Sequence, residues 1–106
     1  MNIRFMRELL FFDLPTNSKA ELRAYRHFIR HLKKLGFYML QESVYVKMDI
    51  DPKESNANIV KIKSELPSEG NICVLTITEK QFASIDVLLG TNFTDIINSE
   101  DRIIIL

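Results

Sequence analysis

Arg7-Glu8-Leu9-Leu10-Phe11-Phe12-Asp13-Leu14-Pro15-Thr16 decides how this chain folds. A run of large apolar residues ends abruptly in a carboxylate, and Pro15 then blocks further sheet pairing. Residues 9–12 are too few for a helix and apolar at both phases of a two-residue repeat. That pattern marks a strand covered on both faces. Leu9, Phe11 and Asp13 point one way, and Leu10 and Phe12 the other. Asp13 is thereby expected at the C-terminal mouth of a central strand, on one face with two hydrophobes.

Downstream, residues 14–17 read as a loop, and Ser18-Lys19-Ala20-Glu21 has the form of a capping box. Leu22, Tyr25, Phe28, Ile29, Leu32 and Leu35 recur at helical spacing, and Gly36 supplies a left-handed helix end. The opposite face carries Arg23, Arg26, Arg30, Lys33 and Lys34, with no acidic residue between Arg23 and Lys34. A solvated helix face is one reading. Solvation alone normally mixes charges, and the single sign equally suits phosphate binding.

Residues 37–40 and 43–48 read as two strands around a tight turn at Gln41-Glu42. Asp49-Ile50-Asp51-Pro52 is a polar break. A second helix is expected over residues 53–66, with Ala57, Ile59, Val60, Ile62 and Leu66 on or near its inner face. Residues 67–71 form a turn, and residues 72–78 are a β-branched strand. The order βαββαβ is the ferredoxin-like α+β pattern, an antiparallel sheet with both helices on one face.

Helices on one face leave the other apolar face open, and a second copy of the chain is the simplest cover. We therefore expect a homodimer. The chain divides into a domain over residues 1–90 and a linker with a terminal strand over residues 91–106. Arg102-Ile103-Ile104-Ile105-Leu106 would be an aggregation-prone edge unless paired. Pairing with the partner's sheet is favoured over a fifth strand on its own sheet.

At 106 residues, with 46% apolar and 26% charged, the composition is that of one globular domain. One cysteine, Cys73, excludes an internal disulfide, fits a reducing cytoplasm and reads as a small core residue in its strand. The short apolar run near the start, containing Glu8, is neither a signal peptide nor a membrane span. The net charge of zero is divided: residues 1–36 hold eight basic against three acidic residues, and residues 37–106 six against eleven. An anionic ligand remains compatible with that distribution.

Glycines at 36, 70 and 90 form no phosphate-cradling loop, and no serine has the context of a hydrolase nucleophile. His27 and His31 have a chelating i, i+4 spacing, but they lack a third ligand and read as part of the basic helix face. Asp13 alone is a weak catalytic signal. Brought together across a twofold axis, two copies would attract a divalent cation, and magnesium is commonly held by one or two carboxylates with waters and substrate phosphate. It would then support phosphodiester cleavage.

Taken together, several stretches resemble the second core CRISPR-associated protein family (Cas two), in the version found in type II systems. They are residues 9–16, Tyr25-Arg26-x-Phe28, Gly36-Phe37-x-Met39-Leu40-Gln41-x-Ser43-Val44-Tyr45, Gly70-Asn71 and residues 75–82. The resemblance runs over nearly the whole chain in order. It implies a ferredoxin-like homodimer whose last strand crosses to the partner. It also implies that the dimer bridges dimers of the integrase Cas one and supports the duplex DNA inserted as a new spacer. Family members are described as magnesium-dependent nucleases on RNA or DNA, and also as scaffolds whose nuclease activity is dispensable. The family's catalytic aspartate falls on Asp13; Ser43 and Tyr45 occupy related positions without an assigned role. Two readings follow: a metal-dependent phosphodiesterase using paired Asp13, or a catalytically silent DNA-binding scaffold.

Overall fold

The computed structural model describes residues 5–51 and 53–90. The terminal strand expected at residues 102–106, its linker and Pro52 lie outside the described residues. Strand β1 (Met6–Asp13) leads to helix α1 (Lys19–Lys34), then β2 (Tyr38–Gln41), β3 (Val44–Asp49), α2 (Lys53–Lys63), β4 (Asn71–Thr78) and a short α3 (Glu79–Ala83). The sheet order is β2-β3-β1-β4, every pair antiparallel, which is the ferredoxin-like arrangement with β1 in an interior position.

The alternation in β1 sorts the core into two layers. Leu10 and Phe12 pack with Phe28 and Leu32 of α1, Ile62 of α2, Phe37 and Tyr45. Phe12 meets Tyr25 and Phe28 edge-on, at ring separations of 5.8 and 6.4 Å, favourable geometry for aromatic quadrupoles. Leu9, on the other face, packs with Leu40, Val46 and Phe82. The short helix α3 was not anticipated, and it covers part of the face expected to be open. Its signal was present: Thr78 and Gln81 form a capping box. Arg7 fastens it with a two-pronged contact to Glu79 (2.7 and 3.1 Å), stacking over Phe82 and reaching the Tyr38 hydroxyl.

The capping box at the start of α1 is as expected, with Glu21 N–H donating to Ser18 Oγ and Ser18 N–H to Glu21 Oε1. Three expectations are corrected. The β2–β3 turn is Glu42-Ser43, one residue later than expected, and Ser43 takes a left-handed φ of 67°. Cys73 is exposed, because β4 places it opposite Phe11 on the face turned away from α1 and α2. Helix α2 ends at Lys63, short of residue 66, and its buried residues are Ser55, Asn58 and the expected Ile62, whereas Ala57, Val60 and, beyond the helix, Leu66 are exposed.

That last correction has a specific cause. Glu8 and Asp49 are fully buried beneath α2, and Asn58 Nδ2 donates to both, at 2.7 Å to Glu8 and 3.2 Å to Asp49. Ser55 similarly shares a hydrogen bond with Thr76, 2.9 Å away. A helix laid over buried polar groups must present polar partners, which outweighs apolar periodicity.

Candidate active site and nucleic-acid interface

Asp13 is the last residue of β1, exposed on the same face as Leu9 and Phe11. Neighbouring strands complete that face. The β1–β4 register sets Asn71 opposite Asp13, Cys73 opposite Phe11 and Leu75 opposite Leu9. Val44 faces Phe11 from β3. Phe11, Met48 and Leu75 remain exposed on this surface, beyond the reach of α3. The carboxylate therefore stands at the rim of an apolar patch that no element among the described residues covers.

Backbone contacts hold the strand end from both sides. Phe12 N–H donates to Ser43 O at 3.1 Å, tying β1 to the β2–β3 turn just before Asp13. Tyr45 does not contribute: it is buried in the helix-side core with Phe12, and burial pushes its phenol pKa up, with the neighbouring Tyr25 adding to the effect.

All five expected phosphate-binding residues, Arg23, Arg26, Arg30, Lys33 and Lys34, are exposed on α1, and among the described residues none forms an ion pair. Lys19, Leu22, Arg23, Arg26 and Arg30 line one open groove. Cations without fixed partners are free to meet phosphates. Helix α1 covers the face of the sheet opposite to Asp13, so the helix layer separates the basic stripe from the carboxylate within one protomer.

The two histidines are not simply part of the stripe. His31 is turned against the end of α2, its Nδ1 2.6 Å from Glu65 Oε2 and its Nε2 2.8 Å from Lys61 O. His27 Nε2 lies 3.8 Å from Glu65 Oε1. This pair ties α1 to α2, a role visible only once the helices are side by side. Replacing His31 by Ala is expected to destabilise the fold by about 1–2 kcal/mol through the lost hydrogen bonds. Thermal unfolding at fixed protein concentration measures this.

Among the described residues no group of three His, Cys, Asp or Glu is placed to hold a metal ion. Asp13 supplies a single exposed carboxylate. That donor suits a hydrated cation that takes one or two carboxylates and keeps waters for substrate phosphate, the habit of magnesium.

The family model for the CRISPR associated protein Cas2 matches residues 6–85, which span the four strands and three helices of the described residues. The chain belongs to the Cas2 family. A relative named CRISPR-associated endoribonuclease Cas2 from Streptococcus mutans is 44% identical over 101 residues, covering 95% of this chain and 93% of the relative. Cas2 relatives carrying the same name come from Treponema denticola, 36% identical over 95% of this chain and all of the relative, and from Acidovorax ebreus, 47% identical over 80% and 83%. The strands and both long helices described above thus belong to a Cas2 fold, and Asp13 lies within the matched segment. Among the described residues no helix is long and apolar enough to cross a membrane.

Proposed function

We propose that this Cas2 chain acts in the cytoplasm as a homodimeric phosphodiesterase of a CRISPR system, with Asp13 of the two protomers paired across a twofold axis. One observation carries the reading: the carboxylate ends a central strand at the rim of an apolar sheet face that keeps Phe11, Met48 and Leu75 exposed among the described residues. Isologous contact over that face is the route by which a single aspartate becomes two. The relatives' name, CRISPR-associated endoribonuclease Cas2, adds RNA cleavage as the reaction class. The two Asp13 carboxylates would hold magnesium, which when bound would neutralise phosphate charge and favour attack by water. The protein's own contribution is to fix the carboxylates on a rigid strand end, while the apolar rim excludes bulk water around them.

The test uses the purified full chain. Light scattering is expected to show a dimer at micromolar concentration, and RNA is expected to be cut when magnesium is supplied. A folded monomer, or no cleavage with any divalent metal, would overturn the catalytic reading.

A second reading is favoured by the separation of Asp13 from the basic stripe. Duplex DNA held along Arg23, Arg26, Arg30, Lys33 and Lys34 would lie on the outer side of α1, away from the carboxylates. In that role the dimer supports DNA during spacer acquisition and bridges Cas one integrase dimers, with no need for turnover. Replacing Arg23, Arg26 and Arg30 by Glu is expected to weaken duplex binding at least about tenfold at 0.1 M salt, whatever the sequence. The slope of log affinity against log salt should fall by about three for each protomer engaged. Fluorescence anisotropy over a salt series measures both. Unchanged affinity and slope would leave the stripe as a solvated helix face.

A further inference from the structure

We infer that Gly70 is a positioning residue for Asp13, forming a seat against the strand end that admits no side chain. This inference rests on the catalytic reading of Asp13 and deepens it.

Three glycines have a left-handed φ, but their surroundings differ. A Cβ at Gly70 (φ 109°) would lie 2.7 Å from the backbone oxygen of Asp13, 2.6 Å from Leu14 Cδ2 and 3.3 Å from Leu14 Cα. At Gly36 (φ 99°) the nearest atom is Lys47 Cε at 3.3 Å, the far end of a flexible side chain. At Gly90 (φ 106°) nothing lies within 4 Å. Leu14 can rotate away from an added methyl group, but the Asp13 carbonyl cannot do so independently. It belongs to a strand whose residues from Met6 to Asp13 are paired with β4, and Asn71, directly after Gly70, is the partner of Asp13. Relief of the contact must therefore shift the Asp13 peptide or the start of β4 that pairs with it, and either movement changes the direction of the Asp13 side chain.

Displacement on this scale matters for a carboxylate that has to meet its copy. In a symmetric dimer both copies shift together, and misplacements near 1 Å cost rate rather than substrate affinity. An added methyl group at position 70 changes no charged or hydrogen-bonding side chain that a substrate phosphate could meet. A side chain at position 70 should thus lower kcat while sparing KM.

Gly70→Ala and Gly36→Ala, each in the full chain, separate positioning from general strain, because both put Ala at a left-handed φ. Both are expected to lower the Tm. Gly70→Ala alone should reduce kcat for magnesium-dependent RNA cleavage at least about tenfold, with KM within about twofold of the parent. It should also shift the backbone 15N and 13C resonances of Asp13, which Gly36→Ala should leave in place. Parental kcat with unmoved Asp13 resonances would overturn the inference, and so would an equal loss of kcat in Gly36→Ala. Should the parent itself fail to cleave, the catalytic reading falls, and the Asp13 resonances still decide whether Gly70 positions that residue. If Gly70→Ala does not fold, the same measurements apply to Gly70→Ala in a Leu14→Ala background. That background removes the 2.6 Å contact and keeps the one to the Asp13 carbonyl.

Discussion

Replacing Asp13 by Asn is expected to lower magnesium-dependent RNA cleavage at least about a hundredfold, the usual scale for losing a group that manages protons or charge at the reacting centre. The variant keeps the shape of the side chain and removes its charge, in the proposed dimer from both protomers at once. Asp13 is exposed at the end of β1 and takes no part in either hydrophobic cluster, so folding should be undisturbed. Dimerisation should persist, because the apolar surface of Phe11, Met48 and Leu75 is unchanged. Duplex binding should also persist, since the basic residues lie on α1 beyond the sheet. Cleavage, light scattering and anisotropy on one preparation therefore separate the two readings. An Asp13→Asn protein that cuts at the parental rate would place the activity elsewhere or in a contaminant. Parent and variant equally silent would leave the scaffold reading.

The second large effect lies beneath α2. Burial lifts the pKa of Glu8 from 4.5 to about 8, the neighbouring Asp49 adds to the rise, and the hydrogen bond from Asn58 opposes it. Glu8 Oε1 and Asp49 Oδ2 are buried without a hydrogen-bond partner among the described residues, while Lys47 pairs with Asp49 at 3.2 Å. A proton on Glu8 converts one of these facing acceptors into a donor. The folded state therefore retains a proton that the unfolded chain releases near pH 4.5. The contribution of Glu8 to stability is full below that pH and is lost as pH rises through about 8.

Glu8→Gln should remove this dependence, because the amide supplies a donor at every pH and its oxygen still accepts from Asn58. At pH 8 the variant is expected to be more stable by about 1–3 kcal/mol, the cost of a buried unsatisfied polar group. For a chain of this size each kcal/mol corresponds to roughly 4–8 °C in Tm. Thermal unfolding from pH 5 to pH 8 at one protein concentration checks it. A Glu8→Gln variant whose Tm falls with pH as steeply as the parent's would show that the proton sits on another group.

Much of this was legible in the residues themselves. The apolar run ending in Asp13 and Pro15 set β1 in the middle of a sheet and its carboxylate at the mouth. Ser18, Glu21 and Gly36 bounded the first long helix, and the repeat of Phe28 and Leu32 gave its buried side. Such features are local: side-chain alternation, capping and turn conformation are decided by neighbours a few residues away. The single-signed face of α1 was visible for the same reason.

Tertiary structure decided everything that depends on which distant residues meet. Asn58 lies inside and Val60 outside because Glu8 and Asp49, on two adjacent strands, need a donor beneath the helix. His31 became a link between helices because Glu65 and Lys61, far along the chain, arrive beside it on folding. Cys73 is exposed because pairing with Phe11 assigns it to the face turned away from α1 and α2. The importance of Gly70 was invisible in its own neighbourhood, since the atoms that forbid a side chain there belong to Asp13 and Leu14. Burial, hydrogen-bond partnership and close approach are properties of pairs brought together by folding. One position's residue type states them only when its partner is also in view.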